Sequence, residues 1–258
     1  MKTICVIPAR MASSRYPGKP LAQLLGLELV LHIYERCKLC RSLDNIVIAT
    51  CDAEIRAVAE AHGADVIMTA DTHIGCVDRT EEAVSLLNFD LADDDLILMV
   101  QGDEVLITPE MIENVISTYK QTKAPVVNLA SRLKAKKDYE DTDIVKVAAA
   151  PDGKAMFFSR SPIPSTARMA DQQQRLLQQT GIIGFAKNFL HIFGELKRTP
   201  LEEIECIDML RVLENHYTIQ IVITDELTIG VDTFADHQRA EKALRVDPVT
   251  MVYLNYQN

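Results

Sequence analysis

The stretch TICVIPARMASSRYPGKPL, residues 3–21, joins a short apolar run to a loop that carries three cations. The apolar part, TICVIPA, has the length and the β-branched composition of a buried strand. Arg10, Arg15 and Lys19 follow within a few residues of it. In open α/β sheets, ligands bind beyond the carboxyl ends of the strands. We therefore expect this basic loop to line a binding site for an anion.

The chain beyond this loop alternates between strand and helix patterns, and this alternation indicates the fold class. The segment ELVLHIYERCKLC, which has helical spacing, lies between the first strand and the apolar run NIVIATCD. The helical segment AEIRAVAEAHGA separates NIVIATCD from DVIMTA, and a helix that begins near Asp78 separates DVIMTA from LILMVQGDE. A further helix, PEMIENVISTYKQT, follows the last of these strands. Short strands with helices between them predict an α/β fold with a mainly parallel, helix-covered sheet.

The second half of the chain is richer in strand patterns and less regular. IVKVAAAPDGKAMFFSRSPIP is interpreted as a hairpin that turns at Asp152 and Gly153. The stretch PLEEIECIDMLRVLENH is predicted to form one helix, and the Gln-rich residues 165–180 are interpreted as a mobile or partner-contacting segment. We interpret this half as a β-rich lobe inserted into a single domain.

Composition and charge exclude several classes of function. The 258 residues carry a formal net charge of −10, so no general positive field is available to attract nucleic acid. No apolar run is long enough to span a bilayer, and the first residues do not have the pattern of a signal peptide. The six cysteines lie mostly in apolar segments, as expected for reduced thiols of a cytoplasmic protein. Cys37 and Cys40 have redox spacing but no partner pair, so we interpret them as ordinary helix residues.

The basic loop has the chemistry of a polyphosphate site. Arginine offers forked donors and lysine a point charge, and both bind phosphate oxygens well. The loop has neither the G-x-x-x-x-G-K-[ST] spacing of a P-loop nor the G-x-G-x-x-G of a dinucleotide fold. The alternative is a basic loop that is simply solvated. Its position after a strand favours the binding site.

Two carboxylates follow other strands and complete a candidate reaction site. Asp103 lies in VQGDE and Asp232 in GVDTFAD. Magnesium favours one or two carboxylates together with phosphate oxygens of the substrate. The two residues therefore predict a Mg²⁺ site suited to phosphoryl or nucleotidyl transfer. Taken alone, either residue would be more typical of a turn or a helix cap.

Other polar residues are weaker candidates. Arg160 in FFSRSPIP would bind a substrate carboxylate, or would form an ordinary surface salt bridge. His73 in DTHIGCVDR is equally compatible with a binding residue and a polar loop residue. Glu205 and Asp208 are three residues apart in the predicted helix, so both are expected to face a cavity or both to face water.

Five blocks in this order resemble a known family. They are IPARMASSRYPGKPL, VQGDEVLITPEMI, FFSRSPIP, PLEEIECIDMLRVLE and GVDTFAD. Together they are similar to the CMP-Kdo synthetases, the cytidylyltransferases that activate 3-deoxy-manno-octulosonate (Kdo). The resemblance implies a fold of the nucleotide-diphospho-sugar transferase type and a homodimer. It also implies a Mg²⁺-dependent reaction of CTP with an acidic sugar, giving pyrophosphate and a CMP-sugar for bacterial surface glycans.

The resemblance assigns roles by position. Arg10, Arg15 and Lys19 would hold the CTP phosphates, and Asp103 and Asp232 would bind Mg²⁺. Gln101, Arg160 and Glu205 would face the sugar, with Arg160 near its carboxylate. His73 and Gln179 are further candidate substrate-binding residues that the resemblance itself does not assign. On this basis residues 1–258 are expected to form one cytidylyltransferase domain. Its nucleotide-binding half would be 1–125, and its sugar-binding and dimerisation half would be 126–258.

The sequence departs from the family pattern mainly on the sugar side. Where the family usually has Ser-Gly-Thr, this chain has Gly75, Cys76 and Val77, and where the family has Pro it has Val105. Gln179 and Ile183 stand at the places of a His and a Tyr, and Asp208-Met209 stands at the place of Glu-Gln. Loss of a partner for a sugar hydroxyl changes selectivity strongly. We therefore expect a relative of Kdo, such as 8-amino-Kdo or a nonulosonic acid, and not necessarily Kdo. A CTP-binding module without turnover is the alternative outside enzymes, and the retained basic loop and carboxylates argue against it.

Overall fold

The computed structural model describes residues 1–12, 15–88, 90–168, 176–226 and 228–254. The strands are β1 (Thr3–Pro8), β2 (Gln23–Leu24), β3 (Leu27–Glu28), β4 (Asn45–Thr50), β5 (Asp65–Met68), β6 (Leu96–Val100), β7 (Glu104–Val105), β8 (Val126–Arg132), β9 (Lys146–Ala149), β10 (Ala155–Ser159), β11 (Leu177–Ala186), β12 (Ile219–Thr224) and β13 (Ile229–Gly230). The helices are α1 (Leu29–Lys38), α2 (Ala53–Ala61), α3 (Cys76–Ser85), α4 (Pro109–Thr122), α5 (Lys136–Glu140), α6 (Lys187–Glu195), α7 (Pro200–Glu205), α8 (Met209–Glu214), α9 (Phe234–Leu244) and α10 (Pro248–Tyr253).

One large sheet organises the molecule. Within the described residues its strand order is β10-β9-β11-β6-β1-β4-β5, with β8 paired to β11 and β12 paired to β8. Strand β1 lies between β4 and β6 and is parallel to both, and β5 is parallel to β4. Strands β1 and β6 are buried along their whole length, as expected for strands covered by helices on both faces. The predicted mainly parallel, helix-covered sheet is confirmed.

Helix α4 shows how local sequence signals set an element's bounds. It begins with Pro109 after Thr108, whose hydroxyl accepts a hydrogen bond from the amide of Met111. It ends before Lys123, which adopts a left-handed conformation with φ 52°. These bounds coincide with the predicted helix PEMIENVISTYKQT, because cap and helical spacing agree there.

The predicted β-rich lobe corresponds to an antiparallel extension of the main sheet. Strands β9 and β10 form a hairpin around Gly153, which has φ 82°, and β9 also pairs with β11. Strand β11 in turn runs antiparallel to β6. The interpretation of residues 165–180 as mobile is wrong for 177–180, which belong to β11, whereas partner contact by this segment stays a prediction. Leu177 is buried there, and the Thr180 hydroxyl donates to the Leu129 carbonyl. Residues 169–175 lie outside the described residues.

The helix predicted over PLEEIECIDMLRVLENH is divided in two. Helix α7 ends at Glu205 because Cys206 adopts a left-handed conformation with φ 54°. The Glu205 carbonyl accepts a hydrogen bond from Nε of Arg160, at 2.7 Å. The expectation that Glu205 and Asp208 share a helical face is therefore wrong, because Asp208 lies in the turn between α7 and α8. In the part of the chain that is described, no helix is long and apolar enough to cross a membrane.

Candidate active site

A cavity of about 780 Å³ opens beyond the carboxyl end of β6. Among the predicted site residues, those that line it are Arg15, Gln101, Asp103, Arg160, Gln179 and Asp232. Four other predicted residues, Arg10, Lys19, His73 and Glu205, lie outside its lining. The sheet thus places its cavity where parallel strands end, as the sequence pattern predicts.

Lys19 connects the two predicted metal-binding carboxylates. Its Nζ lies 2.6 Å from Oδ2 of Asp103 and 2.9 Å from Oδ1 of Asp232. Gly18, with φ 73°, turns the chain into the short 3₁₀ helix that begins at Lys19. Pairing of β7 with β13 brings the Asp103 and Asp232 loops together, and the Asp103 carbonyl accepts the Val231 amide at 3.0 Å.

The electrostatics of Lys19 are dominated by these neighbours. Burial alone lowers the pKa of Lys19, but the charges of Asp103 and Asp232 outweigh it and raise the pKa above its ordinary value. Lys19 therefore stays charged at neutral pH. Its ammonium holds together two carboxylates that would otherwise repel each other.

The other two cations of the basic loop reach in different directions. Arg15 pairs with Oδ1 of Asp143 at 2.6 Å and with Oδ1 of Asp232 at 3.2 Å. The exposed Arg10 donates from Nη1 to the carbonyl of His73 at 3.2 Å. The loop itself is closed by a backbone hydrogen bond from Gly18 to Met11. The structure therefore brings Arg15 and Lys19 to the carboxylates and leaves Arg10 at the rim.

The donor set at this point fits Mg²⁺ together with a phosphate substrate. Two carboxylate side chains, Asp103 and Asp232, lie within reach of one nitrogen and are 27% and 32% exposed. No cluster of three or more His, Cys, Asp or Glu side chains suited to a metal occurs among the described residues. The ion would thus need substrate phosphate oxygens to complete its coordination, which is the arrangement that Mg²⁺ prefers.

Arg160 lines the cavity while its guanidinium is braced by backbone carbonyls. Nε donates to Glu205, and Nη1 donates to the carbonyl of Thr142 at 3.1 Å. The Glu205 carboxylate accepts the Ser159 hydroxyl at 2.7 Å and the Arg160 amide at 2.9 Å. Glu205 therefore positions Arg160 from outside the cavity.

Lys146 is a supporting residue that the sequence analysis missed. Its fully buried Nζ donates to the carbonyls of Asp141, Ile144 and Arg160, at 2.6, 2.6 and 2.5 Å. Burial lowers the pKa of Lys146 below its ordinary value. These bonds tie one wall of the cavity to the backbone of Arg160. The available signal was a lysine inside the otherwise apolar run IVKVAAA.

His73 and Gln179 are held by neighbours within the protein. The His73 ring pairs with the Glu82 carboxylate. Burial alone would raise the pKa of Glu82, but the hydrogen bond to His73 outweighs burial and lowers this pKa below its ordinary value. Nε2 of Gln179 donates to Oδ1 of Asn128 at 2.8 Å, although Gln179 still lines the cavity. His73 thus anchors the loop that Arg10 contacts and does not face the cavity.

Glu104 is a second supporting residue to which the sequence analysis gave no role. Its buried carboxylate accepts the amide of Gly181 at 2.9 Å. Burial raises the pKa of Glu104 to about 7, and the charge of Asp103 adds to the effect. Gly181 has to be glycine, because a Cβ there would lie 2.7 Å from side-chain atoms of both Gln101 and Glu104. Its place beside Asp103 in QGDE was the available signal.

Most of the departures from the family pattern meet in the same cavity. The departing residues that line it are Gly75, Cys76, Val77, Gln179, Ile183, Asp208 and Met209. Burial raises the pKa of the Cys76 thiol to about 12, with smaller contributions from Asp208 and Asp103. Cys76 therefore lies between the carboxylates of the basic-loop side and Asp208. The departures therefore change the lining of this cavity at several positions.

A basic loop, two adjoining carboxylates and a cavity at the ends of parallel strands define a nucleotidyltransferase-type α/β protein. The chain belongs to the cytidylyltransferase family, since the family model described as "Cytidylyltransferase" matches residues 4–221. It is similar to the 3-deoxy-manno-octulosonate cytidylyltransferase of Thermodesulfovibrio yellowstonii, with 38% identity over 95% of this chain and 98% of the relative. It is also similar to the 8-amino-3,8-dideoxy-manno-octulosonate cytidylyltransferase of Shewanella frigidimarina, with 36% identity over 96% of this chain and 100% of the relative.

A solved structure gives the same result at the level of the fold. The CMP:2-keto-3-deoxy-manno-octonic acid synthetase in complex with CTP matches with a TM-score of 0.86 and 30% sequence identity. The match covers 95% of this chain and 99% of that chain. The resemblance inferred from the five sequence blocks is confirmed, and the protein is an enzyme of the nucleotidyltransferase class.

Proposed function

We propose that the protein transfers CMP from CTP to the anomeric hydroxyl of a 3-deoxy-2-keto sugar acid, with release of pyrophosphate and dependence on Mg²⁺. The observation that carries this proposal is the contact of Lys19 with both Asp103 and Asp232 at the mouth of the cavity. The relatives named for Kdo and for 8-amino-Kdo support an octulosonate as the acceptor. The product would be a CMP-sugar for bacterial surface glycan synthesis.

The residues of this chain would act mainly by positioning and by neutralising charge. Lys19 and Arg15 would move from the carboxylates to the phosphate oxygens of CTP, with Arg10 joining them from the rim. Asp103 and Asp232 would hold Mg²⁺, which when bound supplies charge neutralisation at the phosphates. This exchange is electrostatically matched, because each carboxylate gives up an ammonium or guanidinium partner and gains a cation of higher charge.

The acceptor would be held in the other half of the cavity. Arg160, braced by Glu205 and Lys146, would bind the sugar carboxylate. The anomeric hydroxyl oxygen would then form a bond to the α-phosphorus and lose its proton to water, as the bond from the α-phosphorus to the pyrophosphate oxygen breaks. Since both substrates are fixed by separate groups, the protein's main contribution would be their alignment.

Pyrophosphate release tests the proposal directly. The purified protein is incubated with CTP, Mg²⁺ and a panel of acidic sugars that includes Kdo, 8-amino-Kdo and nonulosonic acids. We expect release that requires CTP, the metal and an acidic sugar together. CTP binding, measured by calorimetry, with no release from any acid would contradict the proposal and favour a CTP-binding module.

We also propose that the protein works in the cytoplasm as a homodimer. The six cysteines are all free thiols, which is consistent with a reducing compartment. Exposed apolar side chains in the second half, among them Met156 and Ile204, offer surface for a partner copy. Light scattering of the purified protein would test the dimer, and a monomer at micromolar concentration would contradict it.

A further inference from the structure

Strand β11 contains a β-bulge where it borders the cavity. Between Gln179 and Ile183 its register with β8 shifts, because these two residues are four apart while the residues opposite them, Ala130 and Asn128, are two apart. Successive residues of a regular strand point to opposite faces of the sheet. Here residues 178–181 all line the cavity. The bulge therefore turns a run of consecutive residues toward the space proposed for the substrate.

The side chain of Asn128 stabilises this bulge. Asn128 is fully buried in the otherwise largely apolar strand β8. Its Nδ2 donates to the carbonyls of Thr180 and Ile182 in the bulge, at 3.2 and 3.3 Å. It also donates to the carbonyl of Leu129 at 3.0 Å. Buried carbonyls that leave the regular ladder need another donor, and Asn128 supplies it.

The same three carbonyls fix the orientation of two side-chain amides. An oxygen in the place of Nδ2 of Asn128 would face three acceptors, so Oδ1 has to point away from the carbonyls. Oδ1 accepts a hydrogen bond from Nε2 of Gln179 at 2.8 Å. An oxygen of Gln179 at that distance would be repelled, so Gln179 has to present its nitrogen to Asn128. The backbone of the bulge thus sets the orientation of Gln179 through Asn128.

This orientation leaves an unused hydrogen-bond acceptor at the cavity. Gln179 is half-buried and lines the cavity. Its Oε1 has no hydrogen-bond partner in the part of the chain that the structure describes, while its Nε2 is engaged by Asn128. A histidine, which the family pattern has at this position, would donate or accept according to its tautomer. Gln179 instead keeps an acceptor atom available.

We propose that Asn128 is a positioning residue that holds Gln179 with Oε1 toward the substrate, where this oxygen accepts a hydrogen bond from one hydroxyl of the sugar acid. This inference rests on the proposed function and names a determinant of its acceptor specificity. Neither side chain is charged, so the contact selects a donor at one position of the sugar and not a charge. An acceptor without that hydroxyl would leave Oε1 unpaired in the filled cavity, which is costly.

Fluorinated acceptors test the hydrogen bond to Gln179. The parent compound is the acidic sugar that the wild type converts best, and each of its hydroxyls except the anomeric one is replaced in turn by fluorine, which cannot donate. In the wild type we expect kcat/KM from pyrophosphate release to fall about three- to tenfold for one analogue. Gln179→Met keeps the length of the side chain and removes its polar atoms, so it is expected to convert that analogue and the parent equally well. Equal losses in the wild type and in Gln179→Met for every analogue overturn the proposal.

Two substitutions at position 128 test the positioning role. The hydroxyl preference is the ratio of kcat/KM for the parent to kcat/KM for the sensitive analogue. Asn128→Leu has a similar size but no acceptor for Gln179, so we expect the hydroxyl preference to be lost. Asn128→Asp keeps an oxygen for Nε2 of Gln179, so we expect it to retain the preference even where a thermal melt shows lower stability. Loss of the preference in both variants, or in neither, overturns the role of Asn128.

Ser131→Ala is the matched control on the same strand. Ser131 is buried in β8, and its Oγ has no hydrogen-bond partner among the residues described. We expect this variant to retain the hydroxyl preference. A loss equal to that of Asn128→Leu would show a general effect of altering β8 and overturn the assignment to Asn128.

The same assays separate this inference from the proposed function. Failure of every acid to release pyrophosphate contradicts the proposed function. Pyrophosphate release whose hydroxyl preference does not depend on Gln179 contradicts only this inference. The Kd for CTP is measured for each variant and is expected to be unchanged. A weaker affinity for CTP in Gln179→Met with an unchanged hydroxyl preference would place Gln179 at the nucleotide and overturn the inference.

Discussion

Asp103→Asn is the perturbation that tests the centre of the proposed site. Asp103 contacts Lys19 through Oδ2, and it is one of the two carboxylates proposed to hold Mg²⁺. The substitution keeps the shape of the side chain and removes its charge. We expect kcat to fall and the fold to persist, because Lys19 keeps Asp232 as a partner at 2.9 Å.

The size of the effect follows from the interaction that is lost. A hydrogen bond to a charged group contributes about 1.5–3 kcal/mol, and each 1.36 kcal/mol in a barrier is about tenfold in rate. Loss of a carboxylate that is proposed to act on the phosphates through Mg²⁺ is thus expected to lower kcat by about ten- to a hundredfold or more. Asp103 is 27% exposed, so the change in folding stability is expected to be about 1 kcal/mol or less.

The assay combines pyrophosphate release over a Mg²⁺ titration with a thermal melt of each variant. Asp143→Asn is the matched control, because Asp143 is also a cavity carboxylate with a basic-loop partner but contacts Arg15 and not Lys19. We expect the control to stay within about threefold of the wild type. A kcat of Asp103→Asn within the same range at saturating Mg²⁺ would refute the reasoning about the metal site.

Three further substitutions test the support of the site. Lys146→Met removes the donor to three backbone carbonyls, so we expect the free energy of unfolding in urea to fall by about 3 kcal/mol. We also expect a higher KM for the sugar with an unchanged Kd for CTP. An equal rise in the sugar KM and the CTP Kd would contradict the positioning of Arg160 by Lys146. Gly181→Ala places a Cβ 2.7 Å from Gln101 and Glu104, so urea unfolding is expected to show a loss of about 1–3 kcal/mol, and an unchanged midpoint would count against this packing. The raised pKa of Asp208, beside Asp78, Glu202 and Arg211, means that its contribution to stability is present at low pH and is lost as pH rises through about 6. Thermal melts should therefore show Asp208→Asn gaining stability relative to wild type between pH 4.5 and pH 7.5, and a constant difference would contradict the shift.

Local signals in the sequence were sufficient for much of the fold. Strand β1 and the basic loop, β6 with QGDE, and α4 with its Thr108 cap all lie where the pattern predicts them. Hydrophobic periodicity and helix-capping residues predict an element well when both indicate the same bounds. The division between α7 and α8 was not predictable in this way, because the left-handed Cys206 is associated with hydrogen bonds from Arg160, which is distant in the chain.

The candidate site likewise has features that the sequence predicted and features that only the tertiary structure showed. The residue types Lys19, Asp103 and Asp232, each near a predicted strand, were sufficient by themselves to suggest a phosphate and metal site at one edge of the sheet. The antiparallel pairing of β7 with β13, which brings Asp103 and Asp232 together, was not visible in the sequence. Only the tertiary structure placed Glu205 behind Arg160, brought Lys146 under the same wall and set Asp208 against Gly75. Each of these contacts joins segments that are far apart in sequence, and the charge balance of a buried group depends on all of its neighbours in space.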